Sequence, residues 1–217
     1  MLLYVFYKIM NKIITIIILF SIKSFGQINS GTVQYNVTFI EDKELDGGNL
    51  GNYIKDAKAN SKYLTYSLDF NANEMVFYKT QNLTSDDNGD TSFAEAFSGV
   101  SGKYFKKKNS NILLNEIDNK HLDHILVSKE MNLKWNLLNE TKIIDNYLCY
   151  KATSIIIITN GVGVFKRNLI AWYCPKIPVP FGPKGYGGLP GLVLEFQDRN
   201  VLFGAKKISL IGFKLIF

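Results

Sequence analysis

Residues capable of acid–base, metal or redox chemistry are few in this sequence, and their spacing assembles little. The histidines are His121 and His124, flanking Leu122 and Asp123 in HLDH. In a strand, a three-residue spacing sends the two rings to opposite faces, so no metal site is expected. Cys149 and Cys174 are the two cysteines, and no C-x-x-C redox motif is present. Glu195 could serve a hydrolase if the fold brought it beside Lys184 or Tyr186, but no G-x-S-x-G elbow accompanies it. No catalytic residue and no cofactor are assigned from these patterns.

The densest unusual pattern is FGPKGYGGLPGLVLEF, Phe181 to Phe196, with five glycines and two prolines between Gly182 and Gly191. It is not a phosphate loop, because no lysine followed by a hydroxyl residue comes after its glycines. It is not a dinucleotide fingerprint either, because Pro190 stands at the third glycine position and the alternating LVLEF that follows reads as a strand. What remains is a corner. Pro175, Pro178, Pro180 and Pro183 interrupt the chain. Gly187-Gly188 and Pro190-Gly191 then supply two tight turns, with a positive φ expected at Gly188 or Gly191. Glycine also lets another chain approach closely. The candidate ligand- or partner-binding residues are therefore Trp172, Tyr173, Tyr186, Gly187, Gly188, Leu189, Pro190 and Gly191.

The elements around this corner read as strands. TVQYNVTFI (Thr32–Ile40) and KYLTYSLDF (Lys62–Phe70) alternate apolar and polar residues. EMVFYKT, GKYFKK, ILLNEI, HILVSKE and KWNLLNE are shorter strand candidates separated by Asn, Asp and Gly. Leu50–Asn60 reads as a short helix, FAEAF as one further turn, and Thr84–Ser92 as a surface loop. The fold class that follows is mainly β: an antiparallel meander forming an open half-barrel or sandwich, with one short helix.

One hairpin can be placed in register. The β-branched run Tyr147–Thr159 and the run Val164–Cys174 flank Asn160-Gly161-Val162-Gly163. A two-residue loop of type II′, with positive φ at Gly161, pairs Asn160 with Gly163. Continued outward, that register sets Cys149 opposite Cys174 in a non-hydrogen-bonded pair. A disulfide between them is expected if the chain reaches an oxidising compartment.

The first 26 residues fit such a destination. A basic start, an apolar run Ile13–Phe20 and Ser24-Phe25-Gly26 read as a secretory signal cleaved after Gly26, with Met1 or Met10 as the start. Its removal takes Lys8, Lys12 and Lys23 and lowers the formal charge from +6 to +3. About 190 residues then remain, enough for a single β-rich domain over 27–217 with its own core. No stable membrane span is expected after cleavage. The mild basicity, with its one run Lys106-Lys107-Lys108 read as a solvated hairpin, does not suggest nucleic-acid binding.

GGLPGLVLEF resembles the signature of the GLPGLI family, with Val193 in place of isoleucine. The likeness extends through KWNLLNETKIIDNYLCYKA and AWYCPKIPVPFGP, roughly Lys134 to Asp198. It implies an exported protein of Gram-negative cells, in the periplasm or envelope, and brings no assigned activity. Members commonly continue further, so a missing final strand or two is expected beyond ISLIGFKLIF. The expected function is a non-enzymatic binding protein for a lipid or an extended peptide. The alternative is an accessory of an envelope assembly acting through an envelope protein, with a hydrolase third.

Overall fold

The computed structural model describes residues 30–41, 51–80, 91–119 and 123–211. The segment read as a signal, His121, most of the 84–92 loop and the residues beyond Ile211 lie outside the described residues. Among the described residues, eleven strands form one antiparallel sheet. In chain order they are β1 (Ser30–Phe39), β2 (Thr65–Phe70), β3 (Glu74–Lys79), β4 (Lys103–Lys107), β5 (Ile112–Asn119), β6 (Asp123–Glu130), β7 (Asn136–Ile144), β8 (Tyr147–Asn160), β9 (Gly163–Cys174), β10 (Leu192–Asp198) and β11 (Val201–Ile211). Among the described residues two helices, α1 (Gly51–Asn60) and α2 (Ser92–Ser98), precede β2 and β4.

The spatial order is β6-β5-β4-β3-β2-β1-β11-β10-β9-β8-β7. Two meanders thus meet at a central pair, β1 with β11, and the sheet is open rather than closed into a barrel. This is the mainly β, open architecture expected from the alternation. The helix read over Leu50–Asn60 is present from Gly51. FAEAF belongs to α2, whose last turn ends on Gly99 at φ 64°. Strand β2 is shorter than its pattern, because Ser61–Tyr63 make a 3-10 turn instead.

The core lies on one face of the sheet. Val33 and Tyr35 of β1, Tyr66 and Leu68 of β2, Phe77 of β3 and Phe203 of β11 are fully buried there. Their rings touch: Tyr66 stacks on Phe77 at 5.5 Å between centroids, and Phe203 meets both edge-on. Such aromatic pairs add stability beyond the area they bury.

The β8–β9 hairpin keeps the register derived above, from Asn160–Gly163 to Tyr150–Tyr173. Its turn differs. Gly161 does not take a positive φ. The side chain of Asn160 instead accepts hydrogen bonds from the backbone N–H of Val162 and Gly163, at 3.0 and 3.1 Å. This Asx turn closes the two-residue loop without the positive φ that a type II′ turn places at its first central residue.

Candidate functional site

The corner crosses the core side of the sheet from the end of β9 to the start of β10. It folds on itself through backbone bonds. Gly188 N donates to Pro180 O at 3.0 Å, Leu192 N to Ile177 O at 2.9 Å and Val193 N to Phe181 O at 2.9 Å. Distant elements then pin it. The Tyr35 hydroxyl donates to Val193 O at 2.6 Å, Trp135 Nε1 to Gly187 O at 2.9 Å, Lys106 Nζ to Gly185 O at 3.2 Å and Lys184 Nζ to Ser98 O at 3.3 Å.

Glycine is required here for two different reasons. Gly185 and Gly188 have φ of 76° and 82°, where other residues are strained. Gly191 has no such φ, but a Cβ on it would lie 2.2 Å from the carbonyl oxygen of Cys174. The turn at Gly188 is therefore conformational, and the one at Gly191 is a close approach.

The expected site residues are separated by this arrangement. Tyr186 is buried and stacks on Phe196 at 4.5 Å. Leu189 is buried in the core, while Gly188 and Pro190 reach the surface. Tyr173 is buried near Tyr150. Trp172 lies on the other face of the sheet, half-buried, with Lys142 Nζ 4.4 Å and Lys151 Nζ 5.8 Å from its ring centre. Glu195 belongs to that outer face too and receives a hydrogen bond from Lys142. It does not meet Lys184 or Tyr186, whose contacts lie on the core side, so the carboxylate expected for a hydrolase is tied up elsewhere.

The expected bridge between Cys149 and Cys174 is not made; both are free, buried thiols. The β8–β9 ladder stops one pair short of them, and each cysteine pairs outward, Cys149 with Lys142 and Cys174 with Leu192. The thiols still interact. Cys149 Sγ donates to Tyr147 O at 3.5 Å, and the neighbouring Cys149 thiol, with the backbone N–H groups of Lys176 and Ile177, holds the Cys174 thiol below the usual cysteine pKa. The proximity of Cys174, with burial, pushes Cys149 up. His124, the described member of the histidine pair, is exposed and sits 2.6 Å from Asp118 across the β5–β6 pair. No group of three or more metal-ligating side chains exists among the described residues.

Two features escaped the sequence reading. Asp198 is buried and binds Arg167 through both carboxylate oxygens, the Nε contact at 2.6 Å, while Arg167 also donates to the Tyr186 hydroxyl at 3.3 Å. The alternation Leu192, Leu194, Phe196 continues to Asp198, so the pattern did mark a carboxylate on the buried face. Lys184 is the second. Burial lowers it to about 8, and its ammonium lies 5.7 Å from the Phe203 ring centre.

Beside the corner lies a cleft of about 350 Å³. Met131, Leu133, Pro180 and Phe181 form its apolar wall, Gly187 and Gly188 its floor, and the Lys106–Asn111 turn its basic rim. The lysine run read as a solvated hairpin is thus partly engaged: Lys106 is half-buried and reaches the corner, while Lys107 and Lys108 are exposed. None of the three forms an ion pair with a described carboxylate. A larger groove, about 840 Å³, runs over the outer face of β1–β5, where Thr32, Val76, Phe105 and Leu114 alternate with core residues.

Residues 162–195, from the β8–β9 turn through the corner, match a family model described as "Protein of unknown function (Porph_ging)". That stretch is similar to a family with no assigned activity. No curated protein matches the chain. Among solved structures, PNGF-II in a C2 crystal form aligns with a TM-score of 0.55 at 14% identity, covering 84% of this chain and 28% of that one. Its P21 form gives 0.51 at 13% identity with the same coverage. The chain spans just over a quarter of PNGF-II, and at this identity the likeness is one of fold.

Proposed function

We propose that this chain is an exported, non-enzymatic binding protein of the cell envelope, and that it takes an extended or hydrophobic ligand in the cleft beside the corner. The observation that carries the reading is the cleft itself. It joins an apolar wall, a basic rim and accessible backbone at Gly188, and clefts that bind small ligands have this size and mixture. The resemblance of GGLPGLVLEF to the GLPGLI signature and the signal-like first 26 residues support export.

Native mass spectrometry of the protein purified from the periplasm without detergent tests the binding claim. A retained mass that is lost in Leu133→Glu, with the fold intact by circular dichroism, is the expected result. An apo mass in the wild type, or a retained mass indifferent to Leu133→Glu, would overturn the assignment of the cleft. A second reading, action through protein contact, is favoured by the unpaired strand edge treated next.

A further inference from the structure

The β8–β9 hairpin outruns both neighbours. Strand β7 accompanies β8 only as far as Asn136–Thr153, and β10 accompanies β9 only as far as Asp198–Leu169. The hairpin's own ladder continues to Asn160–Gly163. From Ile155 to Asn168 it is therefore a two-stranded ribbon with no further strand paired on either side among the described residues. Such a ribbon is marginal alone in water.

Its side chains make it more unusual. Ile155, Ile157, Val162 and Val164 are each at least 60% exposed, with Val162 at 87%. Proteins ordinarily guard exposed edges with charge or proline. Here the β8 edge, Ser154 to Asn160, carries neither, and no Asp or Glu occurs between Asn146 and Leu194. The β9 edge differs, because it carries the exposed Lys166.

This asymmetry selects an occupant. Two copies laid along their β9 edges would bring exposed Lys166 against its own kind, Arg167 being held by Asp198 on the core side. Laid along their β8 edges they would oppose only isoleucine, serine, threonine and asparagine. A bilayer fits poorly, since unpaired N–H and C=O groups of a ribbon edge are costly in hydrocarbon. A protein strand satisfies them.

We propose that the β8 edges of two copies of this chain pair antiparallel about a two-fold axis at Ile157, joining two ribbons into a four-stranded intermolecular sheet. This goes beyond the ligand reading and does not depend on it. Counted from the closing pair Asn160–Gly163, the residues that turn their N–H and C=O groups outward on β8 are Ile155, Ile157 and Thr159. Antiparallel pairing about Ile157 sets Ile157 opposite itself and Ile155 opposite Thr159, for about six new backbone hydrogen bonds. The contact is isologous and closes as a dimer.

Analytical ultracentrifugation of the full chain across about 1 to 100 µM, a range that brackets micromolar association, tests the pairing. Ile157→Pro removes an outward donor while leaving the hairpin's own ladder intact, and Val162→Lys places a charge at the apex outside the paired segment. The expected result is a dimer whose dissociation constant rises at least tenfold in Ile157→Pro and changes less than threefold in Val162→Lys. In the wild type, hydrogen exchange at Ile155, Ile157 and Thr159 should slow as concentration rises. A monomer throughout overturns the proposal. So does a dimer indifferent to Ile157→Pro, or one lost equally in Val162→Lys, which would mark nonspecific apolar contact. If Ile157→Pro also unfolds the hairpin, the concentration dependence of exchange in the wild type decides alone.

Discussion

Gly188 and Gly191 sit three residues apart and should respond differently to the same methyl group. At Gly188 nothing lies within 4 Å of an added Cβ, so Gly188→Ala carries only the cost of a positive φ, about 1 kcal/mol. At Gly191 the added carbon meets the Cys174 carbonyl, and the backbone must move, at about 3 kcal/mol. Urea denaturation of both variants should give that order; the reverse order would refute the division of labour. Lys184 makes a pH prediction. Burial puts its folded pKa, about 8, below the usual lysine value of 10.5. The unfolded chain therefore binds more protons between these values, and stability rises with pH through the window. From pH 8 to 10, wild-type stability should gain about 2 kcal/mol relative to Lys184→Met, measured as the difference between their denaturation curves. At this scale the sequence was partly legible. Glycine and proline announced a corner by their backbone restrictions, which are local properties. The partners of Asp198 and Lys184 were not legible, because Arg167 and Ser98 lie far away along the chain and no periodicity connects them.

Elements hold the corner through two hydroxyl or indole bonds from outside it. Tyr35 on β1 and Trp135, just before β7, each donate to a corner carbonyl. Tyr35→Phe keeps the ring and leaves the buried Val193 carbonyl without that donor, so a loss of about 1 to 2 kcal/mol is expected by thermal or urea unfolding. Trp135→Phe should cost less in stability, since the Trp135–Gly187 bond is only partly buried whereas that of Tyr35 is fully buried. It should instead raise hydrogen exchange around Gly187–Leu189. Equal exchange in the two proteins would show that the indole bond does not order the corner. The β8–β9 register was fully readable because a two-residue loop fixes every later pair by counting. The turn type was misread because the side chain of Asn160, rather than the conformational freedom of Gly161, supplies the reversal. The cysteines were misjudged for a related reason: counting gives the opposite residue, but the β8–β9 ladder ends at Tyr150–Tyr173, where the chain turns after Cys174.

The whole sheet is organised around a pair that no local pattern announces. Strands β2 to β6 and β7 to β10 follow one another as a meander, which alternation and turn residues reveal. The union of β1 with β11 joins residues as distant as Ser30 and Ile211, and nothing in either strand's sequence names the other. Native-state hydrogen exchange should rank accordingly. Amides of β1, β2, β10 and β11 should exchange at rates set by global unfolding. Those of the hairpin beyond Thr153 should exchange orders of magnitude faster at low concentration. Uniform protection would mean that the ribbon is covered within a single copy.

The β1–β11 clasp also has a mechanical side. Because these strands run antiparallel, Ser30 and Ile211 leave the sheet at the same end of the same ladder. Tension applied between those two residues peels the hydrogen bonds one rung at a time. Tension between Ser30 and the β8–β9 apex would instead load several ladders together in shear. The molecule should yield like a zipper when drawn from the first pair of points and resist like a lap joint from the second. Optical tweezers would register that difference as two separate unfolding forces from one fold.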